Sequence, residues 1–386
     1  MTGRFLPGNR VQLLETGSEY FPALLEAIAT ACVEIRIECY IFADDVIGRQ
    51  VAAALGAATR RGVRVHLLVD GFGSRGFMQH LGGELLSAGV EVLIFRPEVS
   101  LFSLRRRRLR RLHRKLVCVD ARLAFVGGIN IIDDFDGADR QSPRYDYAVR
   151  LEGPLLGSIH DTMRHLWALV RWTKLGRRPR RPPRPVLGVE SCGDVSAAFL
   201  VRDNLRHRRD IESAYLDAIN GAKEEIFLAN AYFLPGRRFR HALMAAARRG
   251  VKVSVLLQGR VEYLLLHYAT HALYGALLAS GVRIFEYQSS FLHAKVAAID
   301  GVWATVGSSN IDPFSLLLAR EANVVVRNRG FAGLLCTSLR RATALGAVQV
   351  DRGNWERKPP WSRAADWFAY SMMRLLIGFA GYGKNR

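Results

Sequence analysis

Apolar positions along the chain fall into short continuous runs, separated by longer segments in which they recur every three or four residues. Ala27–Phe42, AIATACVEIRIECYIF, opens with helical spacing and closes on an apolar strand, and Ala218–Phe233, AINGAKEEIFLANAYF, does the same. The run AATRRGVRVHLLVDG (Ala57–Gly71) returns as AAARRGVKVSVLLQG (Ala245–Gly259), a helix end, a glycine turn and a second strand. Further on, SAGVEVLIF (Ser87–Phe95) is matched by ASGVRIFEY (Ala279–Tyr287). Both copies therefore read helix, strand, helix, strand, helix, strand. A pattern that repeats on this scale marks a duplicated unit. Apolar strands alternating with amphipathic helices predict an α/β fold of two pseudo-symmetric lobes, each a mostly parallel sheet flanked by helices.

Between the copies lies Thr173–Gly188, TKLGRRPRRPPRPVLG, where proline and arginine preclude a packed helix or a central strand. The expected organisation is a first lobe over 1–172, a Pro/Arg-rich linker over 173–188, a second lobe over 189–350 and a tail over 351–386. In the tail, WSRAADWFAYSMMRLLIGFAGYG is rich in aromatic and aliphatic residues but is interrupted by Arg363, Asp366 and Arg374. That is too much charge for a span and suits an interfacial amphipathic helix anchored by Trp361, Trp367 and Phe368.

Composition narrows the classes. With 386 residues, 49% of them hydrophobic, the chain can bury two ordinary cores, which excludes disorder as a whole-chain reading. Fifty-five basic against 35 acidic side chains give a formal charge of +20, an attraction to polyanions that does not distinguish nucleic acid from an anionic membrane. The five cysteines are scattered and lack CxxC spacing, which argues against a disulfide framework and against a zinc site. His267 and His271 lack the intervening glutamate of a zinc-protease helix. The first residues do not resemble a signal peptide, and no stretch of about 20 residues is free of charge, so exposure to the cytosol and a peripheral rather than spanning relation to any membrane are expected.

The chemistry follows the third strand of each copy. HRKLVCVDARLAFVGGIN holds His113, Lys115, Asp120, Gly127, Gly128 and Asn130; HAKVAAIDGVWATVGSSN holds His293, Lys295, Asp300, Gly307, Ser308 and Asn310. Both obey HxKx₄D followed by G[GS]xN. Only seven of the 55 basic residues are lysines, yet both motifs use one. A compact ammonium can meet a phosphate oxygen as a point charge where a planar guanidinium does not fit. Residues two apart on a strand share a face, so each imidazole has an ammonium beside it. The glycines allow close approach of a ligand, and Asn130, Ser308 and Asn310 offer neutral hydrogen bonds to phosphate oxygens. A reacting histidine needs a carboxylate on its other ring nitrogen. Asp146 lies 33 residues after His113 and Glu321 lies 28 after His293, each at the head of an apolar strand, so each is expected to return beside its own histidine.

These paired motifs resemble those of the phospholipase D superfamily. The stretches DYAVRLEGP, ANAYFLPG, AARRGV and EANVV, spread over nearly the whole chain, resemble the bacterial cardiolipin synthases within it. The resemblance implies one composite active site, a phosphohistidine intermediate, and neither cofactor nor metal. It also implies transfer of a phosphatidyl group between two phosphatidylglycerol molecules, giving cardiolipin and glycerol. In such a scheme His113 is taken to attack and His293 to protonate the leaving alkoxide. Lys115, Lys295 and the asparagines would then hold the phosphate, while Asp120 and Asp300 brace the motif strands. The alternative is hydrolysis at the same site, by a phospholipase D or a nuclease, but no base-reading module is recognisable and no nucleic-acid partner is expected.

One asymmetry stands out. Between the shared glycine and the motif histidine there are 23 residues in the first copy (Gly89 to His113) and 11 in the second (Gly281 to His293). The extra residues include Arg105, Arg106, Arg107 and Arg108. A basic cluster next to a phosphodiester site suits capture of anionic lipid, which places the protein on the cytoplasmic face of the bacterial cell membrane.

Overall fold

A computed structural model describes residues 4–97, 110–135, 143–175, 190–203, 207–312 and 319–377. The first copy supplies strands β1 (Leu6–Glu15), β2 (Glu34–Cys39), β3 (Arg64–Asp70), β4 (Glu91–Phe95), β5 (Arg111–Leu112), β6 (Leu116–Val119), β7 (Leu123–Gly127) and β8 (Tyr147–Glu152). The second supplies β9 (Val195–Arg202), β10 (Glu225–Asn230), β11 (Lys252–Gln258), β12 (Arg283–Tyr287), β13 (Lys295–Ile299), β14 (Trp303–Gly307), β15 (Ala319–Arg327) and β16 (Ala347–Gln349).

The strands form one continuous sheet, ordered β16-β12-β11-β10-β13-β14-β15-β9-β1-β8-β7-β6-β2-β3-β4. Its two halves mirror each other about the antiparallel β1–β9 junction. Asn9, fully buried there, donates to Leu6 O and Val195 O and accepts from Leu155 N–H, so its buried amide is satisfied at the seam. The two-lobe α/β plan matches expectation. Among the named strands, however, parallel pairing is confined to the repeated strands β2-β3-β4 and β10-β11-β12, together with the short β5–β15 contact. The motif strands join antiparallel, because β6 and β7, like β13 and β14, are linked by three-residue turns too short for a crossover.

The repeated AARRGV run has a structural reason. Gly62 and Gly250 take φ of +86° and +91°, which ends each helix in the left-handed region. The second arginine of the pair reaches back to the preceding helix: Arg61 donates to Ile28 O at 2.8 Å and Arg249 to Ile219 O at 3.2 Å, satisfying carbonyls at its C-terminus. Helices thus locked to the strands cover one face of each half. Helices Leu156–Leu175 and Arg329–Gly346 cover the other. One core cluster draws on both halves, with Leu116, Val126 and Val149 packed alongside Val296, Val306 and Val324.

The C-terminal helix, Pro360–Ile377, packs against helix Leu264–His271 and adds Ala369 and Met373 to the core of the second half. Packing therefore fixes one face of a segment expected to be interfacial. The opposite face leaves Trp361, Trp367 and Phe368 at 75%, 53% and 66% exposure. Among the described residues no helix is long and apolar enough to cross a membrane. Arg105–Arg108 and most of the Pro/Arg-rich linker lie outside the described residues.

Candidate active site

Each motif histidine stands just before its strand, and the residue ahead of it is pinned twice. Leu112 N–H donates at 2.8 Å to the carboxylate of Asp70, which ends β3, and Leu292 N–H donates at 2.9 Å to the amide oxygen of Gln258, which ends β11. The backbone then crosses to the other half. β5 pairs with the start of β15 and His113 N–H donates to Arg320 O at 3.0 Å, while His293 N–H donates to Tyr145 O at 2.8 Å.

These crossings decide which carboxylate meets which imidazole. His113 Nδ1 lies 3.0 and 3.1 Å from the two oxygens of Glu321, and His293 Nδ1 lies 2.6 Å from Asp146 Oδ2. The expectation that each acid serves the histidine of its own copy is corrected: the pairs are exchanged, because the peptide before each histidine is hydrogen-bonded to the strand that carries the other copy's acid. With Nδ1 engaged, Nε2 of each ring is left to act. Both imidazoles are largely buried, at 16% and 14% side-chain exposure.

The lysines are buried beside them. Lys115 donates to His113 O at 2.8 Å and sits 5.3 Å from the Tyr40 ring centroid; Lys295 donates to His293 O and lies 3.4 Å from Asp146 Oδ2. Burial, partly offset by Glu321 and reinforced by Lys295, pulls Lys115 down to about 7; burial, partly offset by Asp146, pulls Lys295 down to about 8. His293 falls to about 3 through burial and the adjacent Lys295. Burial alone would raise Asp146 and Glu321, but Lys295 with His293 holds the first below its ordinary value, and His113 with Lys115 and Ser308 holds the second. Two carboxylates and two strained ammonium groups thus face one space, a setting that favours an incoming anion.

Not every motif residue comes to this space. Asp120 and Asp300 stand at the far ends of β6 and β13, seven residues or roughly 23 Å of extended chain from their histidines. The backbone has positive φ at both. Asp120 accepts from the N–H groups of Cys32, Val33 and Glu34, and Asp300 from those of Lys223, Glu224 and Glu225. They fasten the hairpin turn to the start of the neighbouring strand, a bracing position away from the histidines. Ser308 is also diverted from the expected phosphate contact: its hydroxyl donates to Glu321 at 2.5 Å and is fully buried. Asn130 accepts from Ile41 N–H at 3.2 Å, and both Asn130 and Asn310 are buried next to the motif strands.

Gly128 is the counterpart of Ser308. A Cβ there would meet the Asp146 carboxylate at 2.3 Å, so the shorter acid has a glycine beside it where the longer one has a serine. Asp70, Gln258 and Tyr40 were missed by sequence reasoning. The first two were detectable, since both end a repeated buried strand at the same point with a polar residue. Tyr40, whose ring centroid is 4.8 Å from that of His113, has alanine at the matching position and gave no signal.

Two histidines, each backed by a carboxylate from the opposite half and flanked by a buried lysine, define a phospholipase-D-type centre. A family model described as cardiolipin synthase, PLD-like domain, matches residues 24–135 and 215–342. Cardiolipin synthase B of Escherichia coli K12 is 38% identical over 379 residues, spanning 97% of this chain and 90% of that protein. Cardiolipin synthase A of Pectobacterium carotovorum is 31% identical over 380 residues, spanning 96% and 76%. The crystal structure of a phosphatidylserine synthase from Haemophilus influenzae Rd KW20 superposes with a TM-score of 0.72 at 13% identity over 97% of each chain, a likeness of fold. The chain belongs to the cardiolipin synthase family of phospholipase-D-like proteins.

Proposed function

We propose that the protein is a phosphatidyltransferase that joins two phosphatidylglycerol molecules into cardiolipin and releases glycerol. The observation that carries this reading is the pair of exchanged histidine–carboxylate contacts around two buried lysines, in a chain of this family. His113 Nε2, oriented by Glu321, attacks the donor phosphorus while the P–O bond to glycerol breaks, and His293 Nε2 gives its proton to the departing oxygen. In the second displacement His293 takes the proton of the acceptor hydroxyl, the new P–O bond forms and the N–P bond of the phosphohistidine breaks. Lys115 and Lys295, with Asn130 and Asn310, stabilise charge on the non-reacting phosphate oxygens. A phosphodiester lodged against both ammonium groups offsets the repulsion that Lys295 exerts on His293. His293 therefore takes up a proton as the donor binds.

The substrate lies in a bilayer, and we place the protein peripherally on the cytoplasmic face of the bacterial cell membrane. The exposed Trp361, Trp367 and Phe368 and the net charge of +20 support that placement.

The test is mass spectrometry of products from phosphatidylglycerol vesicles. Cardiolipin is expected, with its yield depressed by added glycerol; phosphatidic acid as the sole product would replace transfer with hydrolysis. Both His113→Ala and His293→Ala abolish turnover on this scheme. Labelled phosphorus trapped in acid-quenched enzyme belongs on His113, and label on His293 would reverse the order of the two histidines.

A further inference from the structure

At the ends of β10 and β11 a narrow, half-open cleft is bounded by Ala231, Tyr232, Gln258, Glu262, Tyr263 and His267. Two of its walls are tied to the residues on either side of His293. Ala231 N–H donates to Ala294 O at 2.9 Å, and Gln258 accepts from Leu292 N–H at 2.9 Å. Across its mouth Tyr263 comes within electrostatic reach of Tyr40, whose ring lies against His113. Arg144, two residues before Asp146, is close enough for its charge to be felt by both Tyr232 and Tyr263. The cleft therefore adjoins the space between the two histidines.

Size and lining decide what it accepts. Its volume of about 40 Å³ holds about three water-sized groups, at ~10–15 Å³ each, which is far too little for an acyl chain. Glu262 accepts the Tyr232 hydroxyl at 2.5 Å and keeps further lone pairs for a second donor. The His267 side chain has no hydrogen-bond partner among the described residues and rests on His271, with ring centroids 4.0 Å apart. Burial, with His271 beside it, lowers His267 to about 4, so at neutral pH it presents one donor and one acceptor. A carboxylate, a neutral imidazole and a tyrosine ring suit a short polyol. In the first half the loop after β3 instead folds onto Tyr40: Ser74 bonds to Tyr40 O at 2.9 Å, and a Cβ on Gly73 would meet that oxygen at 2.3 Å.

We infer that this cleft is the alcohol subsite, where Glu262 and His267 recognise the hydroxyl next to the reacting oxygen of a glycerol headgroup. The inference rests on the phosphatidyl-transfer reading. Leaving and entering alcohols occupy the same position opposite the histidine nucleophile. One subsite therefore serves the departing glycerol and the accepting phosphatidylglycerol, the rest of the acceptor passing through the open side.

The experiment supplies phosphatidylglycerol vesicles with equal amounts of 1,2-propanediol and 1-propanol and measures the ratio of the two phosphatidyl alcohols. Both form from one phosphoenzyme, so effects on donor binding cancel. The wild-type enzyme is expected to favour the diol on the order of tenfold, the scale of a hydrogen bond to a charged group. Glu262→Ala and His267→Phe should each move the ratio toward one. A wild-type ratio already near one, or a preference that survives both substitutions, overturns the inference. Failure to transfer to either alcohol overturns the reading beneath it instead. Glu262 is exposed, so Glu262→Ala keeps the test open if His267→Phe does not fold.

Discussion

His113 and Glu321 are 208 residues apart in the chain, yet Nδ1 of the one lies 3.0 Å from a carboxylate oxygen of the other. Asp146 and His293 complete the exchange across 147 residues. Each histidine–carboxylate pair draws one member from each half, so the pairs form only when the two halves are joined. Double-mutant cycles on unfolding free energy test this. His113→Ala and Glu321→Gln should couple by about 0.5–3 kcal/mol, while His113→Ala and Asp146→Asn should add within about 0.5 kcal/mol. Coupling in the opposite combination would restore the within-copy pairing.

The Gly128–Ser308 difference carries a second expectation. Gly128→Ala pushes a methyl group into the Asp146 carboxylate, so the His293 imidazole loses its alignment. Ser308→Ala removes one hydrogen bond from Glu321 but leaves both of that acid's contacts to His113. Turnover should fall by about 100-fold in the first variant, the scale of a misplaced catalytic group, and by about tenfold or less in the second. Equal losses in kcat would mean that Asp146 tolerates displacement.

Much of this was legible in the sequence because a duplication gives every reading a second witness. The two histidines, the two lysines and both distal acids were found by matching positions, and the lobes followed from the spacing of apolar runs. The pairing of acid with histidine was not legible. Spacing along the chain gives the reach from His113 to Asp146 but cannot express that β5 lies on β15. The direction of β6 and β13 was open for a related reason: an apolar run looks the same parallel or antiparallel, and only the turns at Asp120 and Asp300 decide it. Ser308 was misread because a buried hydroxyl near a phosphate site and one that supports a carboxylate have the same sequence.

The lysines set a pH dependence. With Lys115 lowered to about 7 and Lys295 to about 8, both ammonium groups are charged near pH 6 and discharge as pH rises through 7 to 8. A plot of kcat/KM for phosphatidylglycerol against pH should therefore fall on its alkaline side within that window. Stability should run the other way. Between the lowered values and the ordinary 10.5 the unfolded chain binds protons that the folded protein does not, so these two groups make folding more favourable as pH rises. Activity lost at pH 8 to 9 without a drop in melting temperature would bear out the lysine origin; a parallel loss of both would assign it to unfolding.

The membrane contact should separate into two terms. Trp361, Trp367 and Phe368 project from the C-terminal helix while Ala369 and Met373 on its other face hold it to the protein. Deleting the helix would thus confound binding with folding, whereas replacing the three exposed rings with serine leaves the packed face intact. Burying an aromatic or large aliphatic side chain contributes about 1.5–3 kcal/mol when complete, so even partial insertion of three makes the loss in vesicle affinity at least about tenfold. That loss should barely depend on salt, because it is one of apolar area. Replacing Arg105–Arg108 with serine should instead weaken binding to anionic vesicles at low ionic strength. The deficit should shrink as salt rises, since exposed charges are screened over about 8 Å at physiological ionic strength. Vesicle flotation at several salt concentrations reads both. Unchanged flotation of the triple aromatic variant, at an unchanged melting temperature, would remove the helix from the membrane surface and leave the basic segment as the anchor.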